Sequence, residues 1–199
     1  MIISIANLKG GTGKTTTAIY LAMCAQEDDH NPIVIDADSE PSALAWANPG
    51  RLPFPVVAAE RDDLVIQARE LGSNGRTVLI DAPPNARDVL WAAANIADLV
   101  IVPIKTTGLD VNRLRSTLKL LLNIEASRSD GLRTRILYNM VARNTVLMRE
   151  AEETLSRFPT LRARVRYLQR YGRSFGHVPG YLSEYREVWR EVKDVVGEA

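Results

Sequence analysis

The chain of 199 residues has few means of covalent cross-linking or of membrane crossing. Its one cysteine, Cys24, excludes an internal disulfide and any multi-thiolate metal site. Cys24 lies in an apolar helical pattern with Ala18, Leu21, Ala22 and Ala25, the setting of a core residue rather than a reactive thiol. No apolar run approaches the roughly 20 residues that span a bilayer. The opening residues lack the basic start and apolar stretch of a secretory signal, so the expected location is cytoplasmic. Repeats, low-complexity tracts and linkers are also missing. One domain over residues 1–199 is the economical expectation.

What is present is the composition of a globular protein, 46% hydrophobic and 25% charged. Apolar runs of strand length fall at 2–6, 33–36, 55–58, 77–81, 99–103 and 135–138. They are continuous rather than alternating, as in strands covered on both faces. Helical patterns fall between and after them, at 14–26, 42–47, 62–71, 87–96, 109–127 and 145–157. A last helix at 181–196 puts Leu182, Tyr185, Val188, Trp189, Val192, Val195 and Val196 on one stripe. This order predicts an α/β fold, a mainly parallel twisted sheet flanked by helices on both faces.

The net charge of +1 conceals an asymmetry. Residues 128–177 hold eleven arginines against four acids, Asp130, Glu150, Glu152 and Glu153, whereas the rest of the chain holds fourteen basic and twenty acidic residues. Such a local excess attracts polyanions, although solvated helix faces account for it equally well.

The sharpest motif is Lys9-Gly10-Gly11-Thr12-Gly13-Lys14-Thr15-Thr16, between the first strand and the first helix. Small residues let successive N–H groups turn inward around phosphate oxygens, and the helix N-terminus adds its positive dipole end. Lys14 is placed to reach the β and γ phosphates and Thr15 to ligate Mg²⁺, which makes this the loop of a P-loop NTPase. The run Val78-Leu79-Ile80-Asp81 is an apolar strand ending in an acid, a carboxylate placed to serve the Mg²⁺ beside Thr15. Ile35-Asp36-Ala37-Asp38 ends the second strand with two acids on one face. Strand ends on the carboxyl edge of a parallel sheet are where ligands bind.

The general loop pattern has glycine at position 8, where this chain has Leu8, and a second lysine, Lys9, precedes the glycine pair. With this deviant loop the sequence resembles the ParA/MinD family of ATPases. The short ParF-like plasmid-partition proteins are the nearest likeness, through Trp46, Val102-Pro103-Ile104 and Leu109-Asp110. The resemblance implies ATP and Mg²⁺ as ligands and a homodimer in the ATP state. Lys9 then crosses to the partner's nucleotide, Asp38 orients the attacking water, and Asp36 and Asp81 serve the metal region. It implies adenine contacts at Pro103 and Asn139, although Asn139 could equally cap the following turn. It also implies sequence-independent DNA binding through late basic residues. Arg162, Arg164 and Arg166 alternate, so an extended strand puts them on one face, with Arg170 and Arg173 following, interleaved with Tyr167 and Tyr171. The alternative is that some of these arginines lie in the dimer interface or pair with Glu150, Glu152 and Glu153. A ParB-type partner would stimulate turnover, and the ATP form would associate with the nucleoid rather than a membrane. The family commonly has Asp-Pro-Gln where this chain reads Asp38-Ser39-Glu40-Pro41. Two other readings stay open: a MinD-like membrane-associated ATPase using the last helix, and a metabolic ATP-dependent enzyme of the same fold.

Overall fold

A computed structural model of the chain describes residues 1–106, 108–142 and 145–197, with the backbone alone for 108–113. The side chains of Leu109 and Asp110, and Arg143 as a whole, therefore lie outside the described residues. Among the described residues, β1 (Ile2–Ile5), β2 (Pro32–Asp36), β3 (Val56–Ala58), β4 (Thr77–Asp81), β5 (Leu99–Ile104) and β6 (Thr134–Tyr138) form one sheet. Its order is β3-β2-β4-β1-β5-β6 and every pairing is parallel. All residues of β1, β2, β4 and β5 are buried, which is why these runs read as unbroken apolar stretches. The edge strand β3 is partly exposed.

The helices are α1 (Lys14–Glu27), α2 (Ser42–Ala47), α3 (Arg61–Ser73), α4 (Arg87–Ile96), α5 (Gly108–Ser127), α6 (Val146–Leu155), α7 (Gln169–Arg173) and α8 (Ser183–Val196). Alternate strand residues feed opposite layers. Ile3, Ile5, Val34, Leu79 and Ile101 pack under α1, α2 and α8. Ile2, Ile33, Ile35, Val78, Ile80, Val100 and Val102 pack under α3, α4, α5 and α6. Cys24 is buried, and burial pushes its thiol up to about 12, as expected for a core residue.

Element boundaries differ from the sequence reading by three residues at most, and α7 was not foreseen. Five residues containing Gly172 carry too little periodicity to announce a helix. The segment 161–167 is extended as expected. It runs beside β6, with the Leu161 N–H donating to the Ile136 carbonyl at 2.9 Å and the Val165 N–H to that of Tyr138 at 3.0 Å. Leu161, Ala163 and Val165 point inward, so Arg162 and Arg164 face outward.

The amphipathic last helix spends its stripe on the core. Tyr185, Val188, Trp189 and Val192 of α8 are buried in the layer that contains α1. Polar clamps hold the same contact: the Arg186 guanidinium pairs twice with the Glu27 carboxylate at 2.9 Å, while Lys193 and the Trp189 indole both donate to Asp28, at 2.7 and 2.8 Å. Among the described residues no helix is long and apolar enough to cross a membrane. Trp189→Ala removes both the ring and the Asp28 bond, and is expected to cost about 3–5 kcal/mol in urea unfolding. A loss below about 1 kcal/mol would mean that α8 is not part of the cooperative core.

Candidate functional site

The carboxyl edge of the sheet gathers the chemistry-bearing residues. β1 is central, so the loop leaving it is flanked by the ends of β4 and β5. In this loop Gly11 and Gly13 have φ of 71° and 87°, a left-handed conformation that side chains resist. Gly13 has a second reason to be glycine: a Cβ there would lie 2.3 Å from Asn139 Nδ2. Gly13 also caps α1, its carbonyl accepting from the Thr17 N–H at 2.9 Å.

A cavity of about 430 Å³ is lined by Gly10, Gly11, Gly13, Lys14, Thr15, Thr16 and Asp38, with Trp46 and Phe175 closing one wall. Lys14 is buried and its Nζ donates to the Lys9 carbonyl at 3.3 Å. Burial lowers its pKa from the ordinary lysine value, and the charges of Asp81 and Asp38 oppose that shift. A second cavity of about 490 Å³ adjoins the first, and Thr16 and Met140 line both. Leu168, Gln169, Tyr171 and Tyr185 contribute to its wall. The pair has the size and the polar-to-apolar gradient of a site for a phosphorylated organic ligand.

The carboxylates divide into distinct roles. Asp36 and Asp81 are register partners at the ends of β2 and β4. Burial pushes Asp81 up to about 7, the Thr15 hydroxyl bond working against it and the nearby Asp36 adding like charge. Asp81 Oδ1 is buried without a hydrogen-bond partner. An orphaned carboxylate oxygen beside a loop hydroxyl fits a divalent cation. Among the described residues no three His, Cys, Asp or Glu side chains converge on a metal. The fit is therefore to magnesium, which takes few protein ligands and completes its shell with phosphate and water oxygens.

Asp36, expected to support the metal region, has both carboxylate oxygens engaged by backbone donors. Its Oδ1 accepts from the Asp38 N–H at 3.1 Å, and its Oδ2 from Ala43 and Leu44 at 2.8 and 3.0 Å. Pro41 occupies the cap position of α2 and has no side-chain oxygen, so Asp36 caps the helix from the neighbouring strand. Asp38 accepts from the Glu40 N–H at 3.0 Å. Its position over the cavity follows from the turn that Asp36 holds.

Pro103 is not brought to either cavity. It lies buried within β5 and its carbonyl accepts from Asn7 Nδ2 at 2.9 Å. Asn139 does reach the site, lining the second cavity, but both ends of its amide are already engaged. Nδ2 donates to the Thr12 carbonyl and Oδ1 accepts from the Met140 N–H, each at 2.9 Å. Lys9 lines a neighbouring cleft with Leu8, Gly10, Asn85, Arg87 and Ser116 rather than the phosphate cavity.

The expected arginine face is real in geometry but partly neutralised. Arg162, Arg164 and Arg166 line one cavity of about 540 Å³ with Glu184 and Glu187. Arg164 pairs with Glu152, and Arg166 pairs with Glu184 and donates to the Tyr181 hydroxyl. Arg170 lies 4.2 Å over the Tyr181 ring. Arg162 and Arg173 are exposed and form no ion pair among the described residues. Sequence reasoning missed Tyr167, Leu168 and Tyr171 as cavity wall. Their interleaving with arginines pointed to a surface, and nothing local announces a wall built from a segment about 150 residues beyond the loop.

Comparison with known proteins agrees with this geometry. Residues 3–176 match the family described as the CobQ/CobB/MinD/ParA nucleotide binding domain. Protein ParA of Rhizobium radiobacter is 26% identical over 144 residues, covering 71% of this chain and 65% of that protein. Maintenance of carboxysome distribution protein A of Gloeobacter kilaueensis is 34% identical over 119 residues, covering 58% and 54%. The matched part thus spans less than two thirds of either curated relative. The septum site-determining protein MinD of Pyrococcus horikoshii, complexed with Mg-ADP, superposes with a TM-score of 0.78 at 17% identity, over 100% of this chain and 98% of that one. At that identity the likeness is one of fold.

The raised Asp81 pKa gives a test on the ligand-free protein. Between the ordinary carboxyl value near 4 and about 7, the folded state keeps a proton that the unfolded state has lost. Stability therefore falls as pH rises through that window. Thermal midpoints from pH 5 to 8 should fall more steeply for the wild type than for Asp81→Asn; parallel profiles would contradict the raised Asp81 pKa.

Proposed function

The chain belongs to the CobQ/CobB/MinD/ParA nucleotide-binding family, and from that premise we propose that it is a ParA/MinD-type ATPase, working as a nucleotide-switched homodimer. The observation that carries this reading is the single cavity joining the phosphate loop, Lys14 and Asp38 beside the orphaned oxygen of Asp81. The loop N–H groups and the α1 N-terminus receive the β and γ phosphates, with the Lys14 ammonium between them. The adjoining cavity takes the nucleoside. Thr15 and Asp81 would hold magnesium, which would neutralise charge on the phosphate oxygens.

Asp38 turns a water toward the γ phosphorus and accepts its proton as the new P–O bond forms. The bond from phosphorus to the β-phosphate oxygen breaks, leaving ADP and inorganic phosphate. Lys9, which lines the neighbouring cleft, supplies charge across the dimer, the part an arginine finger plays elsewhere. Loss of the γ-phosphate removes what the two lysines grip, and the dimer loosens.

The finer reading is DNA partition. Arg162, Arg170 and Arg173 support it as exposed cations, and pairing two subunits doubles the phosphate contacts, which steepens affinity through counterion release. A ParB-type partner would stimulate the slow turnover, and the ATP form would then sit on the nucleoid. The carboxysome-distribution relative favours the same switch serving another cargo. The membrane-associated reading has less support, because the apolar stripe of α8 is already covered by the core.

Asp38→Ala should bind ATP normally and lose at least about a hundredfold in turnover; wild-type turnover would remove Asp38 from the chemistry. Random-sequence duplex DNA should be retained with ATP and magnesium but not with ADP. Replacing Arg162 and Arg173 by alanine should weaken that binding and, with two copies of each lost per dimer, lower the salt slope by about 4. Equal retention in both nucleotide states would exclude a DNA switch while leaving the ATP site standing.

A further inference from the structure

The loop leaving β1 is overhung from both sides, by the ends of β4 and β5. From β4 come Asp81 and then Pro84, whose Cβ lies 3.7 Å from where a side chain on Gly10 would begin. From β5 comes Lys105, whose ammonium lies 4.0 Å from the corresponding point on Gly11. Gly11 carries no side chain, so the path from that ammonium to the turn of the loop is open.

The base of Lys105 is firmly held. It follows Ile104, the last residue of β5. Asn7 Nδ2 donates to the Pro103 carbonyl at 2.9 Å, and Asn7 Oδ1 accepts from the Lys9 N–H at 3.0 Å and from the Thr117 hydroxyl at 3.2 Å. The Leu8 N–H donates to the same Thr117 oxygen at 3.2 Å. The entry to the loop and the exit of β5 are thus one hydrogen-bonded unit.

Lys105 is half-buried, and among the described residues its ammonium has no carboxylate or carbonyl partner. Partial burial of an uncompensated charge is costly. The acids of the site, Asp36, Asp38 and Asp81, all arrive on β2 and β4, on the far side of β1. The loop is therefore flanked by carboxylates on one side and by the Lys105 ammonium on the other.

We propose that Lys105 is a phosphate-binding residue of this site, meeting the polyphosphate of the bound nucleotide across Gly11 and favouring a triphosphate over a diphosphate. The proposal rests on the nucleotide reading above. An ammonium is a compact point charge with three donors, and its attraction to a phosphate chain grows with the charge of the chain. Lys105 thereby biases a single subunit toward ATP before any partner's Lys9 arrives.

The test compares ATP and ADP, each with magnesium, by calorimetric titration of the full chain at one ionic strength. Lys105→Ala should weaken ATP binding about tenfold and ADP binding no more than about threefold, whereas Lys105→Arg should stay within about threefold on both. The ligand-free thermal midpoint should not fall, since among the described residues the ammonium has no carboxylate or carbonyl partner to lose. An unchanged ATP-to-ADP ratio in Lys105→Ala would overturn the proposal alone. So would an equal loss for both nucleotides together with a lowered ligand-free midpoint. A wild-type chain that binds neither nucleotide would overturn the nucleotide reading and this proposal together.

Discussion

The contact between Gly13 and Asn139 is the constraint on which the rest of the site depends. A phosphate loop must aim several backbone N–H groups inward, and that backbone has no packing of its own to hold it. Here Asn139 supplies the support. Its backbone N–H donates to Ile104 at 2.7 Å, tying it to the end of β5. Its side chain grips Thr12, and its amide fills the space that any Cβ on Gly13 would need. The loop is thus locked to β6, an edge of the sheet, although it grows from the centre. Asn139 also borders the second cavity, so one side chain sets the loop shape and shapes the adjoining wall.

Asp36 does comparable work on the other side. A buried carboxylate is costly unless backbone donors surround it, and three of them do. By capping α2 from β2 and holding the Asp38 N–H, it fixes the turn in which Asp38 stands. The departure at Ser39-Glu40-Pro41 is thereby accommodated: Pro41 cannot cap α2 through its side chain, and Asp36 does so instead. Of the two acids at this strand end, one builds the turn and one faces the cavity.

The second cavity and the arginine-lined one share a wall. Arg166 lines both, and Glu184 accepts from Arg166 and from the Tyr171 hydroxyl. Tyr171, Tyr185 and Tyr20 pack behind it in edge-on and tilted contacts with ring centroids 4.8 to 5.5 Å apart. The amphipathic α8 is therefore structural on two counts, closing the core over α1 and delivering Glu184 to this wall. Arginines that look like a uniform cationic face in the sequence divide into paired and exposed ones on this account.

The sequence by itself determined the parallel α/β sheet, the phosphate loop, Asp81 at the end of its strand, and the inward–outward alternation at 161–166. All of these are written in local periodicity and in residues adjacent along the chain, where geometry follows from strand and helix repeats. Only the tertiary structure decided which acid caps and which faces the cavity, that Pro103 is buried in its strand while Asn139 buttresses the loop, and that Tyr171 is cavity wall. It also decided that Lys105 stands over Gly11. Each of these depends on strand order and on contacts between segments roughly 90 to 150 residues apart, or on a helix borrowing its cap from a neighbouring strand. Such pairings arise from packing and hydrogen bonding across the sheet, and no local pattern encodes them.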